Sequence, residues 1–267
     1  MRTRPELASE AWRYWTQDRG AANPIRFMGA TADPSLFPTE EFRGVLDEVF
    51  RDLGASALDY GPPEGYGPLR EWVAERLRGR GVDVDADCVL IVSGSQQGLD
   101  LLARLLVREG EAVFVEEPGY TNGFHLFQST GARTVGIPLD GGGLRLDLLA
   151  ARAERVPPRL LYVMPIFQNP TGLCLAEDRR VPLLELCARR RIPVIEDQFD
   201  ADLFYEGGPP APLKAADARG QVVLLGSFSK MLFPGLRLGW MAVPRALLAP
   251  LRELKQVSDF ASGLFAQ

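Results

Sequence analysis

Seven short runs rich in Val, Leu and Ile recur along this chain, at 88–92, 112–116, 133–137, 159–163, 192–196, 222–226 and 238–243. Each has the length of a strand, and the apolar residues are continuous rather than alternating, as in strands buried on both faces. Stretches of helical period lie between several of them. Residues 97–107 put Leu99, Leu102, Leu105 and Leu106 on one face, and 147–154 and 177–190 follow the same pattern. Ahead of the first run, Pro68 opens a helix that continues through Arg78 and that Gly81 ends. An earlier helix is expected from Thr39, whose hydroxyl can cap it, to just before Gly54. Strands alternating with helices predict an α/β chain: three αβα layers around a mainly parallel sheet. The glycine-rich stretches at 141–143 and 207–212 read as surface turns, and no internal repeat interrupts the pattern.

The chain has 267 residues, 46% of them hydrophobic, enough for one large domain with a small appendage. Its net charge of -5 argues against a basic surface for nucleic acid. The run Arg189-Arg190-Arg191 ends a helix, where cations suit the dipole, and reads as a solvated face. Cys88, Cys174 and Cys187 are too widely spaced for a zinc site or a disulfide framework, so they read as buried thiols in a reducing compartment. No metal is expected. No apolar run reaches the length of a membrane span, and the N-terminus lacks a signal-peptide core, so the expected location is cytoplasmic, with no membrane partner.

Function is carried by the residues that follow the runs, because open α/β sheets bind ligands beyond the carboxyl ends of their strands. Ser93-Gly94-Ser95-Gln96-Gln97 follows the first run and opens a helix; free N–H groups and the helix dipole there favour a phosphate. Glu117-Pro118-Gly119-Tyr120 follows the second, and Tyr120 offers a flat face to a conjugated ring. Gln168-Asn169-Pro170-Thr171-Gly172 follows the fourth, with Asn169 a donor for a phenolic oxygen. Glu196-Asp197 closes the fifth, where a buried carboxylate needs a partner such as a protonated ring nitrogen. Ser227-Phe228-Ser229-Lys230 ends the sixth, and Arg237 follows as a bidentate anion ligand. Taken singly, each has a plainer reading: an ordinary helix cap at Ser93 or Ser95, a loop anchor at Tyr120, a turn at Asn169-Pro170, a surface arginine at Arg237. Five strand ends converging on one crevice favour a single ligand with a phosphate, a ring and an aldehyde. That ligand is pyridoxal phosphate, whose aldehyde forms a Schiff base with a lysine.

With those motifs and Tyr60-Gly61-Pro62-Pro63-Glu64-Gly65-Tyr66, the chain from Ile25-Arg26-Phe27 onward resembles the fold-type I pyridoxal-phosphate enzymes of the class I/II aminotransferases. Two branches are similar: the 2-aminoadipate and aromatic amino-acid aminotransferases, and the aminotransferase-like domain of MocR/GabR-type transcription regulators. Leu36-Phe37-Pro38 and Ser229-Lys230-Met231-Leu232-Phe233-Pro234-Gly235-Leu236-Arg237 suggest the second. The resemblance implies a large domain with a mainly parallel seven-stranded sheet and transfer of an amino group from an amino acid to a 2-oxo acid. It implies that Lys230 is the Schiff-base lysine and general base, that Asp197 pairs with the ring nitrogen, that Tyr120 stacks and that Asn169 meets the 3-hydroxyl. Gly94, Ser95, Gln96, Ser227, Ser229 and Arg237 complete the cofactor set, chiefly at the phosphate. Tyr60 matches a tyrosine that reaches the phosphate across a homodimer interface.

It further implies an N-terminal segment at 1–54, the cofactor-binding domain at 55–250 and the start of an interdomain helix at 251–267. The remainder of the small domain, with the arginine that clamps a substrate carboxylate, has no counterpart before Gln267, so a C-terminally truncated chain is expected. Phe199 and Asp200 stand where these branches carry a tyrosine that helps hold the 3-oxygen. A regulator would carry a DNA-binding module upstream; the first 25 residues, with Trp12, Tyr14 and Trp15, are too short for one. A different reaction of the same fold type, such as β-elimination or decarboxylation, is the third alternative. His125, in the run Phe124-His125-Leu126-Phe127, reads as a packing residue.

Overall fold

In the computed structural model, which describes residues 32–267, each of the seven apolar runs becomes a strand. They are β1 (Val89–Val92), β2 (Ala112–Glu117), β3 (Arg133–Asp140), β5 (Pro158–Val163), β6 (Val194–Gln198), β7 (Val222–Ser227) and β8 (Gly239–Ala242). An eighth, the two-residue β4 (Gly143–Leu144), pairs antiparallel with the end of β3. The turn expected at 141–143 therefore ends one residue early: Gly143 is buried at φ +85°, with its Cβ position against the backbone of Leu175. The expectations for Trp12, Tyr14, Trp15 and Ile25-Arg26-Phe27 lie outside the described residues.

The sheet order is β1-β8-β7-β6-β5-β2-β3-β4. Strands β7, β6, β5, β2 and β3 run parallel, and β8 lies antiparallel between β1 and β7. Two antiparallel steps restore direction, so β1, β2, β5, β6 and β7 all end at one edge. That edge gathers the segments that follow them.

Among the described residues seven α-helices flank the sheet: α1 (Thr39–Leu53), α2 (Gly67–Arg78), α3 (Ser95–Leu106), α4 (Thr121–Ser129), α5 (Leu146–Arg155), α6 (Glu177–Arg190) and α7 (Arg245–Asp259). Strand alternation divides the core. Leu90, Val92, Leu160, Tyr162, Ile195, Val223 and Leu225 face α3, α4 and α7. Leu161, Val163, Val194 and Val222 face α5 and α6, while Val89, Ile91 and Leu224 face α2. Both faces are covered, which explains the continuous apolar runs.

Several local expectations shift. Thr39 is the first residue of α1 and gives no capping bond; Pro38 occupies the cap position. Helix α3 starts at Ser95 with Gly94 as its cap, at φ +82°, so neither Ser93 nor Ser95 caps it. The helix expected to begin at 251 runs instead from Arg245 to Asp259, where Phe260 leaves it at φ +65°. Of the cysteines only Cys187 is fully buried; Cys88 and Cys174 are half-buried, and all three are free. Arg190 and Arg191 close α6 at the surface, Arg190 pairing with Glu154 at 2.7 Å. His125 is half-buried within α4. Among the described residues no helix is long and apolar enough to cross a membrane.

Candidate functional site

The site is built on the middle of the sheet edge. In β6 the parity of the strand separates the acidic pair: Ile195 and Asp197 face the side of α3 and α4, and Glu196 the side of α6. Glu196 is fully satisfied there, accepting from Leu213 N (2.7 Å), Lys214 N (2.9 Å) and Gln198 Nε2 (2.6 Å). Asp197 is not. Its Oδ2 accepts from the Tyr162 hydroxyl at 2.8 Å, whereas Oδ1 is buried with no partner. Burial pushes this carboxyl up to about 7 against the lowering effect of the Tyr162 donor, and the neighbouring Asp200 charge adds to the rise. A cation beside Oδ1 would restore the ionised form, as a protonated ring nitrogen does. Burial also raises the Tyr162 phenol well above its ordinary value, next to the same carboxylate.

Tyr120 ends the loop after β2 and packs on the core at the start of α4. Its hydroxyl donates to Gln96 Oε1 at 3.2 Å, which ties the second strand end to the first turn of α3. Burial raises its pKa, Asn122 opposes this by hydrogen bonding, the Asp197 charge adds to the rise and the Arg237 charge opposes it. One aromatic ring thus lies within electrostatic reach of both the buried acid and the arginine.

Arg237 reaches back from the segment before β8. Its Nη2 donates to Ser93 O at 3.2 Å, and a Cβ on Gly94 would lie 2.7 Å from the same nitrogen. Only glycine leaves that guanidinium against the backbone, in a left-handed conformation that other residues resist. The cradle of Gly94, Ser95 and Gln96 at a helix N-terminus beside an exposed arginine suits an anion.

Ser227 is the last residue of β7, and its Oγ accepts from Ser229 N at 3.1 Å, folding the chain so that Lys230 follows directly. Burial lowers the Lys230 pKa and the Asp200 carboxylate opposes that shift. Asp200, pushed up to about 6 by burial, is held down in turn by Lys230. Phe199, the residue before it, packs against the same core cluster as Tyr120 and brings no hydroxyl.

Asn169 is half-buried in the turn after β5, the strand beside β6. A buried carboxylate that sequence reasoning passed over braces this turn. Glu116 accepts from Met164 N (3.0 Å) and Gln168 Nε2 (3.3 Å), and Gln168 also donates to Pro118 O and accepts from Thr171. Burial pushes Glu116 up to about 8. One polar chain thus joins the loops carrying Tyr120 and Asn169. Tyr162 was also passed over. Its signal was a lone phenol inside an apolar strand run, which is legible only once β5 and β6 are known to be neighbours.

Tyr60 stands apart. It is 80% exposed, touches Phe260 edge-on with ring centroids 5.0 Å apart, and meets none of the residues above. None of the residues above lines an open cleft of about 440 Å³ between α2 and the loop after β6. Its cations are already engaged, Arg76 by Asp202 and Arg80 by Gln198 and Pro210 O.

Comparison with known proteins gives the relatives of this chain. The profile described as aminotransferase class I and II matches residues 35–265. The chain is 37% identical to the 2-aminoadipate transaminase of Thermus thermophilus over 91% of its own length and 61% of that protein's. It is 36% identical to the HTH-type transcriptional regulator YisV of Bacillus subtilis, over 94% of this chain and 51% of the regulator. Among solved structures, the α-aminoadipate aminotransferase LysN of Thermus thermophilus, complexed with N-(5'-phosphopyridoxyl)-L-leucine, superposes with a TM-score of 0.84 at 35% identity. That superposition covers 89% of this chain and 61% of LysN. The chain therefore spans between half and two thirds of the length of these relatives.

Proposed function

The chain belongs to the class I and II aminotransferases, and we propose that its sheet edge holds pyridoxal phosphate for transfer of an amino group between an amino acid and a 2-oxo acid. The observation that carries this reading is Asp197, with one oxygen held by Tyr162 and the other buried and unpartnered at the end of the central strand. The glycine cradle against Arg237 supports it from the anion side. When bound, this cofactor supplies an aldehyde that condenses with amines and a ring that withdraws electrons from the substrate α-carbon.

The protein groups divide the remaining work. Asp197 keeps the ring nitrogen protonated, and Tyr120 packs on the ring. Asn169 donates to the phenolic oxygen. Gly94, Ser95, Gln96, Ser227, Ser229 and Arg237 take the phosphate. Lys230, whose pKa burial lowers, offers the amine and then moves the proton at the α-carbon. Exposed Tyr60 fits a contact made to the phosphate of a second copy, so the proposed assembly is a homodimer. Helix α1 buries none of its residues, in keeping with a unit at 1–54 separate from the cofactor domain at 55–250. Three free cysteines fit a cytoplasmic setting.

Incubation with pyridoxal phosphate should give a visible absorption band, and borohydride reduction should fix the label on Lys230. Lys230→Ala should abolish both. A band that survives this substitution would refute the lysine assignment.

A second reading is favoured by YisV, which matches as well as the transaminase does. In that reading the domain senses an amine without turning it over. Adding an amino acid and then a 2-oxo acid to the loaded protein separates the two. Loss of the visible band followed by its return marks transamination; a change that the 2-oxo acid does not reverse marks a sensor.

A further inference from the structure

Lys255 is a fully buried lysine that the proposed chemistry does not use. It lies on α7 one turn before Asp259, and its ammonium meets both carboxylate oxygens, at 2.8 and 3.1 Å. An ammonium in the core is costly unless it is paired, and a carboxylate at a helix C-terminus opposes the dipole. Each group therefore offsets the cost of the other. The pair does not end there. Asp259 Oδ2 also accepts from Gln97 Nε2 at 2.6 Å and from the Ser93 hydroxyl at 3.4 Å. Gln97 Oε1 accepts in turn from Ser93 N at 2.7 Å, so both ends of this amide are fixed. Ser93 O receives Arg237. A continuous chain of hydrogen bonds thus runs from the buried lysine of α7 to the backbone of the anion cradle and its arginine.

We propose that Lys255 and Asp259 are positioning residues for the phosphate cradle, locking Ser93 and Gln97 so that the first N–H groups of α3 stay aimed at the anion. The inference rests on the functional reading above, since the anion is taken to be the cofactor phosphate. Its physical basis is that Gly94, at φ +82°, has no side chain to hold its own conformation. The loop then depends on its neighbours for rigidity, and Gln97 is the neighbour that reaches both Ser93 and α7. Helix α7 leads directly into Phe260, where the chain leaves the helix at φ +65° and returns toward β1, Ser262 Oγ donating to Ile91 O at 3.4 Å.

The test compares pyridoxal phosphate with pyridoxal, which lacks the phosphate, in two variants of the intact protein. Gln97→Leu cuts the chain at the cradle. Lys255→Met/Asp259→Leu removes the ion pair together, a replacement that is often neutral for stability, unlike loss of one partner. Both variants should weaken pyridoxal phosphate by about tenfold or more, the usual scale for losing an outer-shell support, and leave pyridoxal unchanged. In protein without cofactor, the backbone amides of residues 95, 96 and 97 should exchange hydrogen faster in both variants than in the wild type. Equal weakening of both compounds, or unchanged affinity and exchange, overturns the inference. Should the double variant fail to fold, Gln97→Leu alone decides. Wild-type protein that binds neither compound overturns the functional reading. The exchange comparison then still decides whether the network holds the loop.

Discussion

The hydroxyl of Tyr162, on β5, donates to Oδ2 of Asp197, on β6, at 2.8 Å, with both side chains buried. The register makes this contact: Tyr162 pairs with Ile195, and Asp197 lies two residues further along the same face. Tyr162→Phe removes the donor and leaves a second carboxyl oxygen without one. The expected loss is about 1–3 kcal/mol, the cost of an unsatisfied buried acceptor. It should be largest above about pH 7, where the Asp197 carboxyl ionises. Urea unfolding of wild type and variant on either side of that pH measures both effects.

Protonation of the buried acids sets a second expectation. Burial pushes Asp200 up to about 6, Asp197 up to about 7 and Glu116 up to about 8. In the unfolded chain such carboxyls ionise at roughly pH 4. Between that pH and the folded values the unfolded state binds fewer protons than the folded state, so stability falls as pH rises. For protein without cofactor the decline should run from roughly pH 4 to about 8 and then level off. Asp197→Asn, which cannot ionise, should remove the share of the decline due to residue 197. Unfolding midpoints across this range would contradict the neutral buried carboxyls if they stayed flat in the wild type.

Asp200 and Lys230 shift one another. Burial lowers the amine and the carboxylate partly restores it. Asp200→Asn removes that restoring charge, so Lys230 should lose its proton at a lower pH than in the wild type. The pH dependence of the rate at which pyridoxal phosphate develops its visible band should move toward acid. A shift toward alkali, or none, would show that the two groups do not communicate.

Gly94→Ala should act on the cradle. Its Cβ would sit 2.7 Å from Arg237 Nη2, and the residue would have to keep φ near +82°. The backbone penalty is about 1–2 kcal/mol. The guanidinium is the flexible partner and must move aside. Uptake of pyridoxal phosphate should weaken more than uptake of pyridoxal, read by titration, alongside a stability loss of that size. Equal effects on the two compounds would place Arg237 away from the phosphate.

Much of the fold was legible in the order of residues. Seven continuous apolar runs became seven strands, and 177–190 became a helix with those bounds. Burial on both faces removes the need for alternation, so these runs announce themselves without any neighbour being known. The small misses were local. Pro38, not Thr39, held the cap position of α1, and Gly143 joined a two-residue strand because a pairing with β3 outweighed its turn character. Apart from Tyr60, which precedes the first run, the residues proposed for the site were legible as a set because each follows a run, and sheet topology sends the ends of parallel strands to one edge.

The support of those residues was not legible. Glu116, Tyr162 and Asp259 lie far in sequence from Met164, Asp197 and Gln97, which they hold, Lys255 acts only through Asp259, and each resembles an ordinary member of its run or helix. Sequence alone determined the strands, most of the helices and the polar groups at the strand ends, because those follow from local period and from burial. Tertiary structure alone decided that Asp197 and not Glu196 faces Tyr162, that Arg237 folds onto Gly94, and that Asp259, paired with a buried lysine, meets Gln97. Strand parity, register and the approach of distant helices fix those contacts, and none of the three can be read from a residue's immediate neighbours.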